Sequence, residues 1–186
     1  MAVEDRERWE KKYQNHPIPT KVVSIVKEYA PLSQGKKALD IACGMGRNSR
    51  YLAEQGFEVD ALDISPRALE SLQGIEGVTT QEVDFDTHIL DENHYDLIIC
   101  TYFLKRELFP QILNALKKGG ILIFETFVYH PDNDKAPSNR AFLLEQGELE
   151  ATFAKDYEIL HLREFWDVGI CGERLMRGSL VGQKRA

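Results

Sequence analysis

The chain has 186 residues, 43% of them hydrophobic, which suits one well-buried core and is too short for two comfortable ones. With 30 acidic against 23 basic side chains the net charge is −7, so the broad attraction to phosphate backbones used by most nucleic-acid binders is missing. The opening MAVEDRERWEKKYQNHP is charged throughout, and no later stretch reaches the roughly 18 apolar residues that span a bilayer, so the chain reads as cytoplasmic with no membrane partner.

In chain order, residues 4–13 read as a charged helix, and TKVVSIVKEYA follows with Val22, Ile25, Val26 and Tyr29 at helical spacing, stopped by Pro31. KKALDIA is a short buried strand, GRNSRYLAEQG a helix closed by Gly56, and FEVDALD a second strand. SPRALESLQG is a helix with Ser65 as N-cap, Pro66 in its first turn and Gly74 at its end, and VTTQEVD is a third strand. YDLIICT is a fourth strand, Pro110 marks the start of another helix, and Gly119 and Gly120 turn the chain into a fifth strand, ILIFETF. Alternation of this kind predicts a parallel sheet with helices on both faces.

Beyond that point the rhythm changes. YHPDNDKAPSNR is a polar loop long enough to face a substrate, and a helix over 148–154 follows. YEILHLREFWD and RLMRGSLVG are separated only by VGICGE, too short for a parallel crossover, so this last strand pair is expected to be antiparallel. Cys43, Cys100 and Cys171 stand apart without a CxxC pair, which suggests neither a disulfide framework nor a metal site.

The loop after the first strand lies where parallel sheets bind ligands. Gly44 and Gly46 let the backbone approach a ligand closely, and the helix beginning near Arg47 offers unpaired amides. Asp63, nineteen positions after Gly44 and at the end of the second strand, stands where a carboxylate accepts both hydroxyls of a ribose; the alternative is a helix-capping aspartate. Ser49 occupies the place where the dinucleotide fingerprint has a third glycine or alanine. Asp40, inside the first strand, disfavours a pyrophosphate and favours a cationic ligand.

These residues resemble the class I S-adenosylmethionine-dependent methyltransferases, through DIACGMG, ALDIS, VDFD and LKKGGILIFETF across about residues 36–127. The finer pattern GRNSRYLAEQGFEVDALDIS, with RWEKKY near the start, is most similar to the bacterial tellurite-resistance-type methyltransferases. The resemblance implies an α/β fold, a doubly wound, mostly parallel seven-stranded Rossmann-like sheet with an antiparallel final strand and N-terminal helices. It implies one methyltransferase domain over 1–186: a helical lid (1–31), a cofactor core (36–127), and a substrate-side loop, helix and strand pair (128–186). The implied cofactor is S-adenosyl-L-methionine. Asp40, Ala42, Gly44 and Gly46 would surround its methionine part, Asp63 and Ile64 its ribose and one adenine face, Asp84 with the backbone of Phe85 its adenine edge, and the carbonyl of Thr101 its amino group, with Cys43, Arg47, Asn48 and Ser65 as further cofactor-binding residues.

The implied partner is a small-molecule methyl acceptor. A thiol, selenide or other soft anion needs no general base, whereas an alcohol or ammonium does. CTYFLKR after the fourth strand lacks the Asp/Asn-Pro-Pro-aromatic motif of base-amino methylases, which further disfavours nucleic acid. Tyr102, Arg106, Tyr129 and Arg174 are the polar residues expected near the acceptor, with Tyr102 and His130 as catalytic candidates. For each the alternative is ordinary packing or a solvated surface. Trp9 and Tyr13, four apart on one face of the charged helix, either close over the cofactor or staple the surface. A macromolecular acceptor, a non-catalytic cofactor-binding regulator and a nicotinamide oxidoreductase remain the competing classes.

Overall fold

Parallel strands covered on both faces need apolar side chains at consecutive positions, and the central strands supply them. In a computed structural model, which describes residues 2–14, 17–168 and 172–185, β1 (Lys37–Ile41), β2 (Glu58–Asp63), β3 (Val78–Glu82), β4 (Tyr95–Thr101), β5 (Leu116–Phe127), β6 (Tyr157–Val168) and β7 (Arg174–Lys184) form one sheet in the order β3-β2-β1-β4-β5-β7-β6. The first five strands run parallel, and β7 pairs antiparallel with both β5 and β6. The expected doubly wound sheet with an antiparallel final strand is therefore present.

Alternate side chains feed two cores. Leu39, Ile41, Ile98, Cys100, Leu122 and Phe124 pack under α5 (Phe109–Ala115) and α6 (Glu148–Phe153). Ala38, Leu97, Ile99, Ile121 and Ile123 pack under α2 (Ser24–Tyr29) and α3 (Arg47–Glu54). α1 (Ala2–Gln14) lies against α4 (Pro66–Glu70), whose first turn is capped by Ser65 accepting from the Ala68 amide at 3.2 Å.

Several boundaries differ from expectation. β5 begins at Leu116, before the glycine pair, because the register jumps from Tyr95 opposite Leu116 to Leu97 opposite Ile121, and Lys117 to Gly120 bulge out of the ladder. Pro31 sits inside a short 3-10 turn that continues α2, rather than stopping it outright. α4 ends at Glu70, short of Gly74. Cys171 and much of the hairpin connection around it lie outside the described residues. Among the described residues no helix is long and apolar enough to cross a membrane.

Candidate active site

Residues 42–46 carry the chain from β1 into α3 in a backbone that mostly excludes ordinary side chains. Ala42, Gly44 and Gly46 have φ of +53°, +55° and +77°. A Cβ on Gly46 would stand 2.2 Å from Leu72, and one on Gly44 would stand 2.9 Å from the Tyr13 hydroxyl, so both glycines answer to conformation and to space. The Cys43 amide donates to the Leu62 carbonyl at 2.9 Å, and burial pushes its thiol up, which fits a packing role rather than a reactive one.

Two carboxylates bracket this loop. Asp63 accepts from the Gly44 amide through Oδ2 at 2.8 Å and from the Ser65 amide through Oδ1 at 2.9 Å. The Ile64 amide contributes as well, and since a carboxylate has about four lone-pair sites, acceptor capacity for a further donor remains. Burial raises its carboxyl above the usual range despite those amides. Asp40 is 1% exposed and accepts from the Ser49 hydroxyl at 2.6 Å, which places it beneath the loop. Burial pushes it up to about 7, with the charge of Asp63 adding to the rise. Asp63 thus ties the glycine loop to the turn before α4 through two backbone amides.

α1 crosses over this pair. Glu10 accepts from the Ser65 hydroxyl at 2.6 Å and from the Arg67 amide at 3.1 Å, and Arg6 pairs with Glu82 at 3.1 Å. Trp9 and Tyr13 stack at 5.7 Å, and the Tyr13 hydroxyl faces Gly44. Nothing in the charge pattern singled out Glu10, although it is the side chain that fastens the helix to the N-terminus of α4.

Asp84 accepts from the Asp86 amide at 2.9 Å and shapes the turn after β3, while Ile64 is half-buried beside Asp63. The Phe85 ring is buried against Phe103 at 5.5 Å, so its side chain belongs to the core and its backbone faces the turn. Asn48 is buried and accepts from the Val23 amide at 3.1 Å while donating to Thr101 Oγ1 at 3.0 Å. It ties α2 to the end of β4, which engages both ends of a side chain expected at the cofactor.

The acceptor-side expectations divide more sharply. Tyr102 has φ of +59° and stands at the end of β4, with Arg47 over its ring at 4.9 Å. Its hydroxyl donates to Glu125 at 2.9 Å and accepts from Arg177 at 2.7 Å. Arg106 points elsewhere: it grips Glu148 at 2.5 and 2.7 Å and donates to the carbonyls of Ala141 and Leu143. It is a brace between the strand-four loop and α6, which is the surface-acid alternative. Arg174 is exposed over Trp166 at 5.0 Å with its backbone tied to Asp134, and Tyr129 lies under Arg140. His130 packs edge-on against Trp166 at 4.8 Å and accepts from the Asp132 amide. The structure brings Glu125 and Arg177 to Tyr102, while Arg106, Tyr129, His130 and Arg174 have other partners: Glu148, Arg140 and, for the last two, Trp166. An acid within the apolar run ILIFETF is the signal that could have found Glu125.

This geometry has known relatives. A profile of the family described as Tellurite resistance protein TehB matches residues 1–173. A probable S-adenosyl-L-methionine-dependent methyltransferase TehB from Haemophilus influenzae is 30% identical over 166 residues, covering 83% of this chain and 56% of that protein. The chain thus spans a little over half the length of that curated relative. Among solved structures, TehB from Haemophilus influenzae aligns with a TM-score of 0.78 at 24% identity, over 97% of this chain and 67% of that one. A methyltransferase dependent on S-adenosylmethionine, from Methanosarcina mazei, aligns with a TM-score of 0.69 at 17% identity, over 89% and 99%. The fold and the match along nearly the whole sequence agree: the chain belongs to the tellurite resistance protein TehB family.

Proposed function

We propose that the chain binds S-adenosylmethionine and transfers its methyl group to a small acceptor, a thiol or chalcogen anion. The observation that carries this reading is the pair of buried carboxylates, Asp40 and Asp63, bracketing a glycine loop in the left-handed conformation. Burial raises the carboxyl of both acids above the ordinary range, and a cationic ligand favours their ionised forms. The same pair would repel a pyrophosphate. Asp63 retains acceptor capacity for a ribose, and the raised phenol of Tyr13 lies over Gly44 as a neutral hydroxyl.

In this reading Asp63, Ile64 and Ser65 hold the nucleoside, Asp84 and the Phe85 backbone meet the base, and residues 42–47 with Thr101 surround the amino-acid end. Asp40 acts on that end from beneath the loop. Bound there, the cofactor supplies an electrophilic methyl group on a sulfonium. The protein's own tasks are alignment and exclusion of water, and the cover formed by α1 over Gly44 serves the second. The net charge of −7 and the missing base-amino motif favour a small acceptor over nucleic acid, and a single domain in the cytoplasm is part of the same reading.

Calorimetry with S-adenosylmethionine, its demethylated product and NAD tests the cofactor, with binding of the first two and not the third expected. Mass spectrometry of products from a panel of small thiols and chalcogen anions then tests the acceptor. Binding without turnover across the panel would favour a non-catalytic regulator.

A further inference from the structure

Glu125 is an acid in the interior of β5, 6% exposed, and the cofactor loop makes no use of it. The register sets Thr101 opposite Glu125 and Phe127 opposite Arg177, so the ends of β4, β5 and β7 deliver Tyr102, Glu125 and Arg177 to one point. The direct distance from Arg177 Nη1 to Glu125 Oε1 is 3.6 Å, longer than either bond through the phenol between them. Arg177 Nη2 is fixed by Asp167 at 2.7 Å, and Arg47 and Arg177 both stand over the Tyr102 ring. The Tyr102 amide donates to the Glu125 carbonyl at 2.7 Å, so backbone and side chain are pinned to the same residue.

A phenol that donates once and accepts once keeps one lone pair. Tyr102 is half-buried, beside the cofactor loop through Arg47, and its positive φ sets it apart from ordinary packing. Taking as its basis the reading of a small sulfur or chalcogen acceptor, we propose that Tyr102, Glu125 and Arg177 form a proton relay for an acceptor that arrives protonated, such as an aliphatic thiol. The S–H proton passes to Tyr102 Oη while the Tyr102 proton passes to Glu125 Oε1. The electron pair of the S–H bond stays on sulfur and forms the bond to the methyl carbon, and the pair of the broken methyl–sulfonium bond stays on the donor. Glu125 ends neutral and returns its proton to solvent after product leaves.

Among the described residues, the charged and phenolic groups that act most on Glu125 are Tyr102, Arg177, Asp167 and Arg47. Burial lifts its carboxyl above the usual range, Tyr102, Arg177 and Arg47 pull it down, and Asp167 adds to the rise. A carboxylate so placed is a stronger base than one in water, while the two guanidiniums keep it ionised enough to accept.

The test compares the full chain with Glu125→Gln and Tyr102→Phe at saturating cofactor, from about pH 6 to 9, on an aliphatic thiol and on an acceptor already ionised at neutral pH. Near pH 7 the variants should lose about 100-fold in kcat/KM on the aliphatic thiol. Their rate should climb about tenfold per pH unit toward the thiol pKa, since only thiolate then reacts. On the ionised acceptor their deficit should be at least tenfold smaller and should not vary with pH, since no proton has to be removed from it. A deficit that is equal at all pH values and for both acceptors, or no deficit, overturns the relay and leaves methyl transfer standing. Failure of the unsubstituted chain to methylate any thiol or chalcogen overturns the acceptor reading and the relay with it. A second measurement needs no cofactor: ultraviolet titration should show one tyrosine ionising at lower pH in Glu125→Gln, a transition missing when Tyr102→Phe is added. An unchanged titration overturns the proposed coupling.

Discussion

Ser49 donates its hydroxyl to Asp40 at 2.6 Å, so the residue that breaks the dinucleotide fingerprint is hydrogen-bonded to the acid beneath the loop. The two departures from that fingerprint are one feature. Asp40, with its carboxyl pushed up to about 7 by burial, keeps its proton over a pH range in which the unfolded chain, with an ordinary value of about 3.9, has lost it. Its contribution to stability is complete below about pH 4 and is lost as pH rises through about 7. Asp40→Asn keeps an acceptor for Ser49. It should flatten the fall of Tm between those values and raise Tm at pH 8 by a few degrees, about 2–4 °C per kcal/mol recovered. Scanning calorimetry across the range checks this, and an unchanged slope refutes it.

Asp63 has two duties, and one substitution should separate them. Asp63→Ala is expected to weaken S-adenosylmethionine binding by about 10- to 150-fold, equivalent to roughly 1.5–3 kcal/mol for a charged hydrogen bond. It should also lower the stability of the unliganded protein by about 1–3 kcal/mol for each amide, Gly44 or Ser65, left buried without a partner. Calorimetric titration reads the first and denaturant unfolding the second. Loss of stability with full affinity would remove Asp63 from the cofactor site.

For α1, removal of residues 1–16 should weaken cofactor binding at least tenfold and move the Tm of the unliganded protein by only a few degrees. The pair Arg6–Glu82 is exposed and such contacts contribute about 0–1 kcal/mol. Unfolding of the truncated protein, or cofactor affinity equal to that of the whole chain, would identify the helix as a brace and take Trp9 and Tyr13 out of the site.

Arg106 offers a contrast with Arg177. Burial opposes ionisation of Glu148, but the hydrogen bonds from Arg106 and the Glu145 amide, with the charges of Arg106 and Arg140, together outweigh it and hold that carboxyl below its usual range. The stabilisation is present above the ordinary glutamate value of about 4.3 and is lost as pH falls through the lower folded value. Arg106→Ala should cost about 1–3 kcal/mol at pH 7 and less at pH 3, because two carbonyls and a carboxylate lose their donor. It should leave the KM for the acceptor near that of the unsubstituted chain. A raised KM without lost stability would restore Arg106 to the acceptor site.

What the sequence made legible follows from what alternation and turn chemistry encode. KALDI and LIIC read as strands because two-sided burial requires consecutive apolar residues, and Ser65 with Pro66 announced a helix start that the capping bond bears out. The bulge before Ile121 was hidden because a glycine pair marks a turn as readily as a disruption within a strand. The partners of the arginines are hidden for a similar reason. Whether Arg174 or Arg177 reaches Tyr102 depends on the register of β7 against β5, a relation between distant segments that no local pattern states. Likewise, the position of Asn48 in the sequence says nothing of the Val23 amide that approaches it from the start of another helix.

The placement of β7 between β5 and β6 has a consequence for synthesis. β6 emerges from the ribosome before β7, yet within the sheet its neighbour is β7. Until Arg174 to Lys184 has been made, β5 presents an open, apolar edge and β6 has no ladder to join, so the nascent chain carries two unpaired edges at once. The strand that closes the sheet also brings Arg177 to Tyr102 and Glu125. A growing chain thus makes its glycine loop before the contacts of Arg177 with Tyr102 and Glu125 can form.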